Sequence, residues 1–258
     1  MQNLKVTLIQ TELIWEDVES NLSMFDALID NIQDDTHLIV LPEMFTTGFT
    51  MNAAGFAQNM DGSSVKWLRD KSRQKNADIV GSIIADDKGN FFNRLIWAKP
   101  EGDMFTYDKR HLFRMAGEEK VYSAGDKNII IELFGWKIRP FVCYDLRFPV
   151  WTRNIDKQYD AAIFVANWPA ARVSAWDALL KARAIENLSY TIGVNRVGED
   201  GNQIMYNGHS AVYDTKGDSV CFIEDREDIQ TISISYNDLN AYREKFPAHF
   251  DSDSFDIK

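Results

Sequence analysis

The sequence has few of the residues that metal centres and disulfide frameworks require. Its 258 residues include two cysteines, Cys143 and Cys221, and four scattered histidines. Two cysteines are too few for a disulfide framework, although a single bridge between them remains open. The histidines include no pair at the helical spacing of zinc ligands, and no glycine-rich loop has the spacing that holds phosphate. We therefore expect neither a metal nor a cofactor.

Basic charge and long apolar runs are also scarce. The 28 basic and 39 acidic residues give a net charge of -11, which we attribute to solubility. Nucleic acids and anionic membranes are bound through basic patches, so neither is expected as a partner. No apolar run reaches the length of a membrane span, and the first ten residues, MQNLKVTLIQ, are not a signal peptide. These absences, with the low cysteine content, favour a cytoplasmic protein.

What the chain does contain is typical of a layered α/β protein. Hydrophobic residues make up 45% of it, enough for a sizeable core. Predicted strands alternate with helices early in the chain, and pairs of adjacent strands recur later. This order indicates one large mixed sheet, or two sheets, covered by helices. No linker or repeat divides the chain, so we predict a single domain over residues 1–258, with a core at about 4–235 and a C-terminal extension at 236–258.

Local patterns predict some details of this fold. Asp17 is a candidate N-cap, and the serines at 63, 64 and 174 are placed to cap two later helices. Pro140 interrupts the predicted strand 136–142 and indicates either a bulge or a local edge there, because proline cannot donate a ladder hydrogen bond.

Reactive side chains follow three of the predicted strands. Glu43 comes just after the apolar run 37–41, Lys109 after the strand 104–107, and Cys143 after the strand 136–142. In open α/β sheets, ligands bind at the carboxyl ends of the strands. Each residue alone is more often a solvated loop residue or, for the cysteine, a small buried hydrophobe. Together they are more informative, because their chemistry is complementary.

A thiol, a carboxylate and an ammonium group can carry out acyl transfer without a metal. A thiol attacks as the thiolate and therefore needs a base. Glu43 could accept the proton if burial raised its pKa towards neutrality; His111 is the nearest histidine. Lys109 and the backbone N–H of Tyr144 could stabilise a negative tetrahedral intermediate.

Three blocks of sequence resemble the signatures of a known family. The segments 41–45 (LPEMF), 107–113 (YDKRHLF) and 142–149 (VCYDLRFP) are similar, in order and spacing, to the Glu, Lys and Cys signatures of the nitrilase, or carbon–nitrogen hydrolase, superfamily. The resemblance implies a four-layer α-β-β-α sandwich, a homodimer, and the catalytic roles just given. It also implies a second glutamate between the Lys and Cys blocks. Glu118 matches that position better than its neighbour Glu119, and the choice between them stays open.

Two further segments resemble one branch of that superfamily. The stretch 109–115 (KRHLFRM), and Asn167-Trp168-Pro169 followed by Arg172, are most similar to the bacterial omega-amidases. This branch hydrolyses the terminal amide of 2-oxo acid monoamides, such as 2-oxoglutaramate and 2-oxosuccinamate, to the dicarboxylate and ammonia through a cysteine thioester. The alternatives are a nitrilase, an aliphatic amidase or an N-carbamoyl amidohydrolase. A non-catalytic binding protein on the same fold is expected to lack one of the three reactive residues.

The substrate of such an enzyme is a small-molecule amide that carries a carboxylate, which requires a cation. Arg147 and Arg172 are the candidates, although Arg147 could instead pair with a carboxylate inside its own turn. Aromatic side chains near the signatures could wall a small pocket or could belong to the core. The residues we select as substrate-binding are Phe45, Arg147, Phe148, Trp168 and Arg172.

Overall fold

The computed structural model describes residues 2–253 and 255, so residues 254 and 256–258 of the predicted extension lie outside it. The strands are β1 Leu4–Gln10, β2 Leu38–Val40, β3 Asp78–Asp87, β4 Asn90–Ala98, β5 Met104–Asp108, β6 Ile131–Leu133, β7 Trp136–Val142, β8 Ala161–Val165, β9 Tyr190–Val194, β10 Val197–Glu199, β11 Met205–Asn207, β12 Ala211–Tyr213, β13 Ser219–Phe222 and β14 Asp228–Ile234. The α-helices are α1 Val18–Asp30, α2 Ala53–Phe56, α3 Ser63–Lys75, α4 Pro149–Thr152, α5 Val173–Asn187 and α6 Tyr236–Lys245.

Two six-stranded sheets form the centre of the protein, which decides between the one-sheet and two-sheet alternatives. Their strand orders are β14-β1-β2-β3-β4-β5 and β13-β12-β9-β8-β7-β6, and β10 pairs with β11 in a separate hairpin. In the first sheet β1, β2 and β3 are parallel, as are β7, β8 and β9 in the second. The carboxyl ends of β2 and of β7 and β8 carry Glu43, Cys143 and Asn167.

The two sheets pack face to face, and helices cover their outer faces. One apolar cluster joins Leu4, Val6 and Leu8 of β1 to residues of β7, β8 and β9. A second cluster joins the other side of the first sheet to Phe25 of α1 and Leu68 of α3. On the second sheet, α5 lies over β9 and β12. The predicted α-β-β-α sandwich is confirmed.

Local expectations are met in part. Asp17 caps α1, its carboxylate accepting a hydrogen bond from Ser20 N. The prediction of serine caps was wrong: α3 starts after Gly62 and α5 after Arg172, and neither has a side-chain cap. At α3 the amide oxygen of Gln58, six residues earlier in the chain, accepts from Ser64 N.

Pro140 lies at a local edge of the second sheet. Its strand pairs with β8 in unbroken parallel register, with Pro140 opposite Ile163. On the other side, β6 pairs only with residues 136–138, so it has ended before it reaches the proline. The missing N–H therefore interrupts no ladder.

A buried carboxyl at the start of β3 makes stability depend on pH. Asp78 is 2% exposed and accepts a hydrogen bond of 2.6 Å from Trp97 Nε1. Burial raises the pKa of Asp78 from 3.8 to about 6. An acid whose pKa is higher in the folded state stabilises the protein most at low pH, and this contribution is lost as pH rises from about 4 to about 6.

We expect the Asp78→Asn variant to gain stability relative to the wild type between pH 4 and pH 7.5, because the amide cannot ionise and still offers Trp97 an oxygen. Two pKa units correspond to at most about 3 kcal/mol. Urea unfolding of both proteins at the two pH values measures the change. If the difference in unfolding free energy between the variant and the wild type is the same at both pH values, this expectation is contradicted.

Candidate active site

Cys143 stands at the point where β7 turns into a single 3₁₀ helix, Cys143–Arg147. Its φ of +44° lies in the left-handed region, which disfavours residues other than glycine and recurs at functional sites. The sharp turn leaves Tyr144 N in the first turn of the helix, where an N–H has no partner within the helix. The Cys143 Sγ atom is 3.9 Å from the carbonyl oxygen of Asn167.

Glu43 is fully buried, and its carboxylate is held from both sides. Its Oε1 accepts hydrogen bonds from Lys109 Nζ at 2.9 Å and from Asn93 Nδ2 at 2.7 Å. Its Oε2 accepts from the backbone N of Asn167 at 2.8 Å, and the Asn167 side chain also donates to the Glu43 carbonyl. These contacts fix the orientation of the carboxylate.

Lys109 joins two buried carboxylates. Its Nζ lies 2.9 Å from Glu43 Oε1 and 3.0 Å from both carboxylate oxygens of Glu118, and each of the three side chains is at most 1% exposed. Burial alone would lower the pKa of Lys109, but the charges of Glu118 and Glu43 outweigh it and raise the pKa above its ordinary value. The ammonium group therefore stays protonated. The ring of Phe49 lies 5.0 Å from it.

Of the adjacent glutamates 118 and 119, the structure brings Glu118 to the ammonium group. Glu118 also accepts a hydrogen bond from the backbone N of Phe113, whereas Glu119 is half-buried. Burial raises the pKa of Glu118, and the nearby charge of Lys109 opposes this rise.

The thiol of Cys143 is neutral in the resting site. Burial raises its pKa well above the ordinary value, and the negative charge of Glu43 raises it further, while Lys109 acts in the opposite direction. A proton acceptor and a fixed positive charge therefore both act on this sulfur.

The thiol opens onto a cavity of about 500 Å³. The segments that follow strands of both sheets line it together with the β10–β11 hairpin, and most of its wall is aromatic or aliphatic. The lining includes Trp15, Glu16, Phe49, Met51, Phe113, Tyr144, Arg147, Trp168, Arg172, Asp200 and Tyr206.

Both predicted arginines line this cavity, and each lies against an aromatic ring. The guanidinium of Arg147 is 5.0 Å from the ring centre of Trp168, and that of Arg172 is 5.0 Å from the ring centre of Phe113. Within residues 2–253 and 255, neither guanidinium has a carboxylate within 4.0 Å, so the expected pairing of Arg147 inside its turn is not found. Two cations in the cavity wall are thus available to an anionic ligand.

Of the three predicted aromatic contacts, only Trp168 lines the cavity. Phe45 is fully buried on the other side of its strand end, where its ring packs against Phe25 and Trp67. Phe148 stacks on the imidazole of His111, with ring centres 3.7 Å apart. His111 is hydrogen-bonded to Asp145 through Nδ1 and does not line the cavity.

Two buried asparagines contact Glu43, and neither was predicted from the sequence to do so. Asn93 lies in the middle of β4, where an amide in a strand indicates nothing specific. Asn167 was quoted for the resemblance to the omega-amidases but not as a partner of the carboxylate. Position after an apolar strand was the one signal available, and it applied to Asn167 alone.

Comparisons with known proteins agree with this geometry. The carbon–nitrogen hydrolase family matches residues 5–244. An omega-amidase named YafV from Yersinia enterocolitica is 48% identical to the chain, over 99% of each sequence. A 2-oxoglutaramate amidase from Bacillus subtilis is 29% identical, over 95% of this chain and 96% of that one.

A solved structure is also close. XC1258 from Xanthomonas campestris is a superfamily protein whose crystal structure carries an arsenic adduct in the active site. It superposes with a TM-score of 0.98 at 43% identity, and each chain is covered completely. On the family match, the full-length relatives and the shared fold, the chain belongs to the carbon–nitrogen hydrolase family.

Proposed function

We propose that the protein is an omega-amidase that hydrolyses the terminal amide of 2-oxo acid monoamides, with 2-oxoglutaramate and 2-oxosuccinamate as substrates. The observation that carries the proposal is the position of Lys109, which joins Glu43 and Glu118 beside the Cys143 thiol. The cavity at this thiol has two guanidinium groups in its wall, and neither has a carboxylate partner among the residues that the structure describes. The full-length relatives named omega-amidase support the same activity.

The first half-reaction forms a thioester. Glu43 takes the proton of Cys143, and the thiolate attacks the amide carbon as the C=O electron pair moves to oxygen. The ammonium of Lys109 and the N–H of Tyr144 stabilise this oxyanion. When the carbonyl forms again, the C–N bond breaks, and the protonated Glu43 gives its proton to the leaving nitrogen, which departs as ammonia.

The second half-reaction releases the acid. Glu43, again a carboxylate, removes a proton from water, and the oxygen attacks the thioester carbon. The C–S bond breaks, and the proton on Glu43 returns to Cys143. Throughout, Glu118 holds Lys109 in place through two hydrogen bonds, so that the ammonium remains beside the reacting carbon.

Substrate recognition is assigned to the two arginines and to Trp168. A guanidinium binds a carboxylate through two parallel hydrogen bonds, and in a cavity lined mainly by apolar groups such a contact is strong. The rings of Trp168 and Phe113 hold the guanidinium planes of Arg147 and Arg172 in position by cation–π contact.

An ammonia-release assay on a panel of substrates tests the function. We expect kcat/KM for 2-oxoglutaramate to exceed that for an uncharged aliphatic amide by about 10²-fold or more, because a site built for a polar substrate group rejects an analogue that lacks it. It should also exceed the values for a nitrile and for an N-carbamoyl amino acid. The variants Arg147→Gln and Arg172→Gln, assayed on the same panel, should lower the ratio of kcat/KM for 2-oxoglutaramate to kcat/KM for the uncharged amide.

The control is the uncharged amide, for which the arginine variants should retain the wild-type kcat/KM. A wild type that prefers the nitrile or the carbamoyl compound would replace the omega-amidase assignment with one of the alternative family activities. Binding of the amide without turnover would favour the non-catalytic alternative.

We further propose that the protein is cytoplasmic and forms a homodimer. Both cysteines are free thiols, as in proteins of reducing compartments, and no helix in residues 2–253 and 255 is long and apolar enough to cross a membrane. Exposed apolar side chains at Val150, Ile185 and Phe246 give a second copy a surface to cover. Cell fractionation and sedimentation equilibrium measure the two properties.

A further inference from the structure

One buried carboxylate, that of Asp145, connects the strand and loop that carry Lys109 to the turn that carries Cys143. Asp145 is fully buried and lies two residues after the nucleophile. Its Oδ2 accepts from the hydroxyl of Tyr107 at 2.7 Å and from the backbone N of Val142 at 3.1 Å. Its Oδ1 accepts from the backbone N of His111 at 3.0 Å and is 2.8 Å from the same residue's Nδ1.

These contacts lie on both sides of the two reactive residues. Tyr107 and His111 are two residues before and two residues after Lys109, while Val142 and Asp145 enclose Cys143. Strand β5 and strand β7 belong to different sheets, so within residues 2–253 and 255 no ladder hydrogen bond joins the two segments. Three of the four contacts of Asp145, the one to Tyr107 and the two to His111, span that boundary.

A second layer of contacts supports this carboxylate. Trp151 Nε1 donates to the Tyr107 hydroxyl at 2.9 Å, which leaves the hydroxyl proton for Asp145. The imidazole of His111 is stacked on Phe148, which lies in the same segment as Cys143. Arg183 of α5 donates to the carbonyl of Leu146 at 2.7 Å and so holds the end of the turn.

We propose that Asp145 is a positioning residue that sets the location of the Cys143 thiol relative to the Lys109 ammonium. The left-handed backbone at Cys143 is unfavourable by itself and needs support from its surroundings. The hydrogen bond from Val142 N to Asp145 supplies that support on one side of the cysteine, and the contacts to Tyr107 and His111 tie the turn to the segment of Lys109. The proposal rests on the catalytic roles given above for Cys143 and Lys109.

The Asp145→Asn variant tests it, because an asparagine has the same shape but only one acceptor oxygen. Its NH2 group would then face donors, either Tyr107 and Val142 or the backbone and ring of His111. We expect kcat for ammonia release to fall by about 10²-fold, with KM changed less than about three-fold, since a displacement of about 1 Å between reacting groups has this effect on rate.

A second variant, Tyr107→Phe, removes one of the four contacts and leaves the carboxylate in place. It therefore tests the proposal even if Asp145→Asn does not fold. We expect it to lower kcat by about ten-fold. The matched control is Asp78→Asn, the same chemical change at a buried carboxylate that also accepts from an aromatic side chain. It should alter stability and leave kcat within about two-fold of the wild type.

Alkylation of Cys143 by iodoacetamide, followed by peptide mass spectrometry over a range of pH, gives a readout that needs no substrate. In the wild type, Glu43 and Lys109 determine how the rate of alkylation depends on pH. In Asp145→Asn we expect the profile to shift towards that of a free cysteine, with a midpoint near pH ~8.5. In the Asp78→Asn control the profile should match that of the wild type.

Profiles of Asp145→Asn and Tyr107→Phe that superimpose on the wild-type profile, or values of kcat in both variants within two-fold of the wild type, would overturn the proposal. A wild type that is inactive on 2-oxoglutaramate, combined with a shifted alkylation profile in the variants, would refute the omega-amidase assignment and support the role of Asp145.

Discussion

Replacement of Cys143 by alanine is expected to abolish ammonia release and to leave the fold intact. Removing a nucleophile lowers kcat by about 10⁴-fold or more, because no other group in the site can form the thioester. The change deletes one sulfur atom from a side chain that is 8% exposed, and its cost in stability is that of a small buried apolar group, about 1 kcal/mol. Ammonia release and urea unfolding measure the two effects separately.

The second cysteine provides the control for this experiment. Cys221 lies in β13 at the edge of the second sheet and does not line the cavity. Cys221→Ala should therefore keep the wild-type kcat and lose only the second alkylation site. In the wild type, quenching during turnover and mass spectrometry should find the acyl group on the peptide that contains Cys143. Residual activity in Cys143→Ala above about a hundredth of the wild-type value would exclude the thioester mechanism.

Part of the candidate site could be predicted from the sequence, because its reactive residues lie where apolar runs end. Glu43, Lys109 and Cys143 each follow a strand, and strands could be recognised from their composition. The contact of Lys109 with a second glutamate could not be derived from spacing, because Glu118 begins a short 3₁₀ helix, Glu118–Lys120, in a long connection whose path depends on packing. Its assignment came from the resemblance to the family.

Other features of the structure could not be predicted from the local sequence. Phe45 lies two residues after Glu43, yet its ring packs in the core against Phe25 and Trp67. The intervening Met44 has a φ of +42° in a turn, so the side-chain alternation of a strand does not apply here. Asn93 reaches Glu43, fifty residues earlier in the chain, because β3 pairs with both β2 and β4 and so brings the two segments together. The predicted serine cap of α3 was wrong for a related reason: the amide oxygen of Gln58, from a preceding loop, accepts from Ser64 N, and such tertiary contacts override local propensity.

The largest effect on stability, accompanied by a loss of activity, is expected at Lys109, because its ammonium contacts two carboxylates that are fully buried. In Lys109→Met, Glu43 and Glu118 would face each other without a cation. Breaking a buried pair by removing one partner typically costs about 3–5 kcal/mol. Activity should fall by at least about 10²-fold as well, since the oxyanion loses its charged donor.

This loss of stability should depend on pH in a defined direction. Burial already raises the pKa of Glu118, and Lys109 opposes that rise. Without the ammonium the folded-state pKa rises further, so the variant is best tolerated below the unfolded pKa and loses stability as pH increases. Urea unfolding of Lys109→Met at pH 5 and at pH 8 should show a larger deficit, relative to the wild type, at pH 8.

Two further variants separate the structural role of Lys109 from its chemical role. Lys109→Met combined with Glu118→Gln removes one of the unpaired charges and should recover part of the lost stability, but none of the lost activity.

Lys71→Met is the matched control: Lys71 is also buried and contacts two carboxylates, those of Asp26 and Asp30, but these are about half exposed. Water can solvate them when the ammonium is absent, so the loss should be about 1 kcal/mol, with unchanged ammonia release. A deficit in Lys109→Met no greater than that of Lys71→Met would show that the buried carboxylates do not depend on this ammonium.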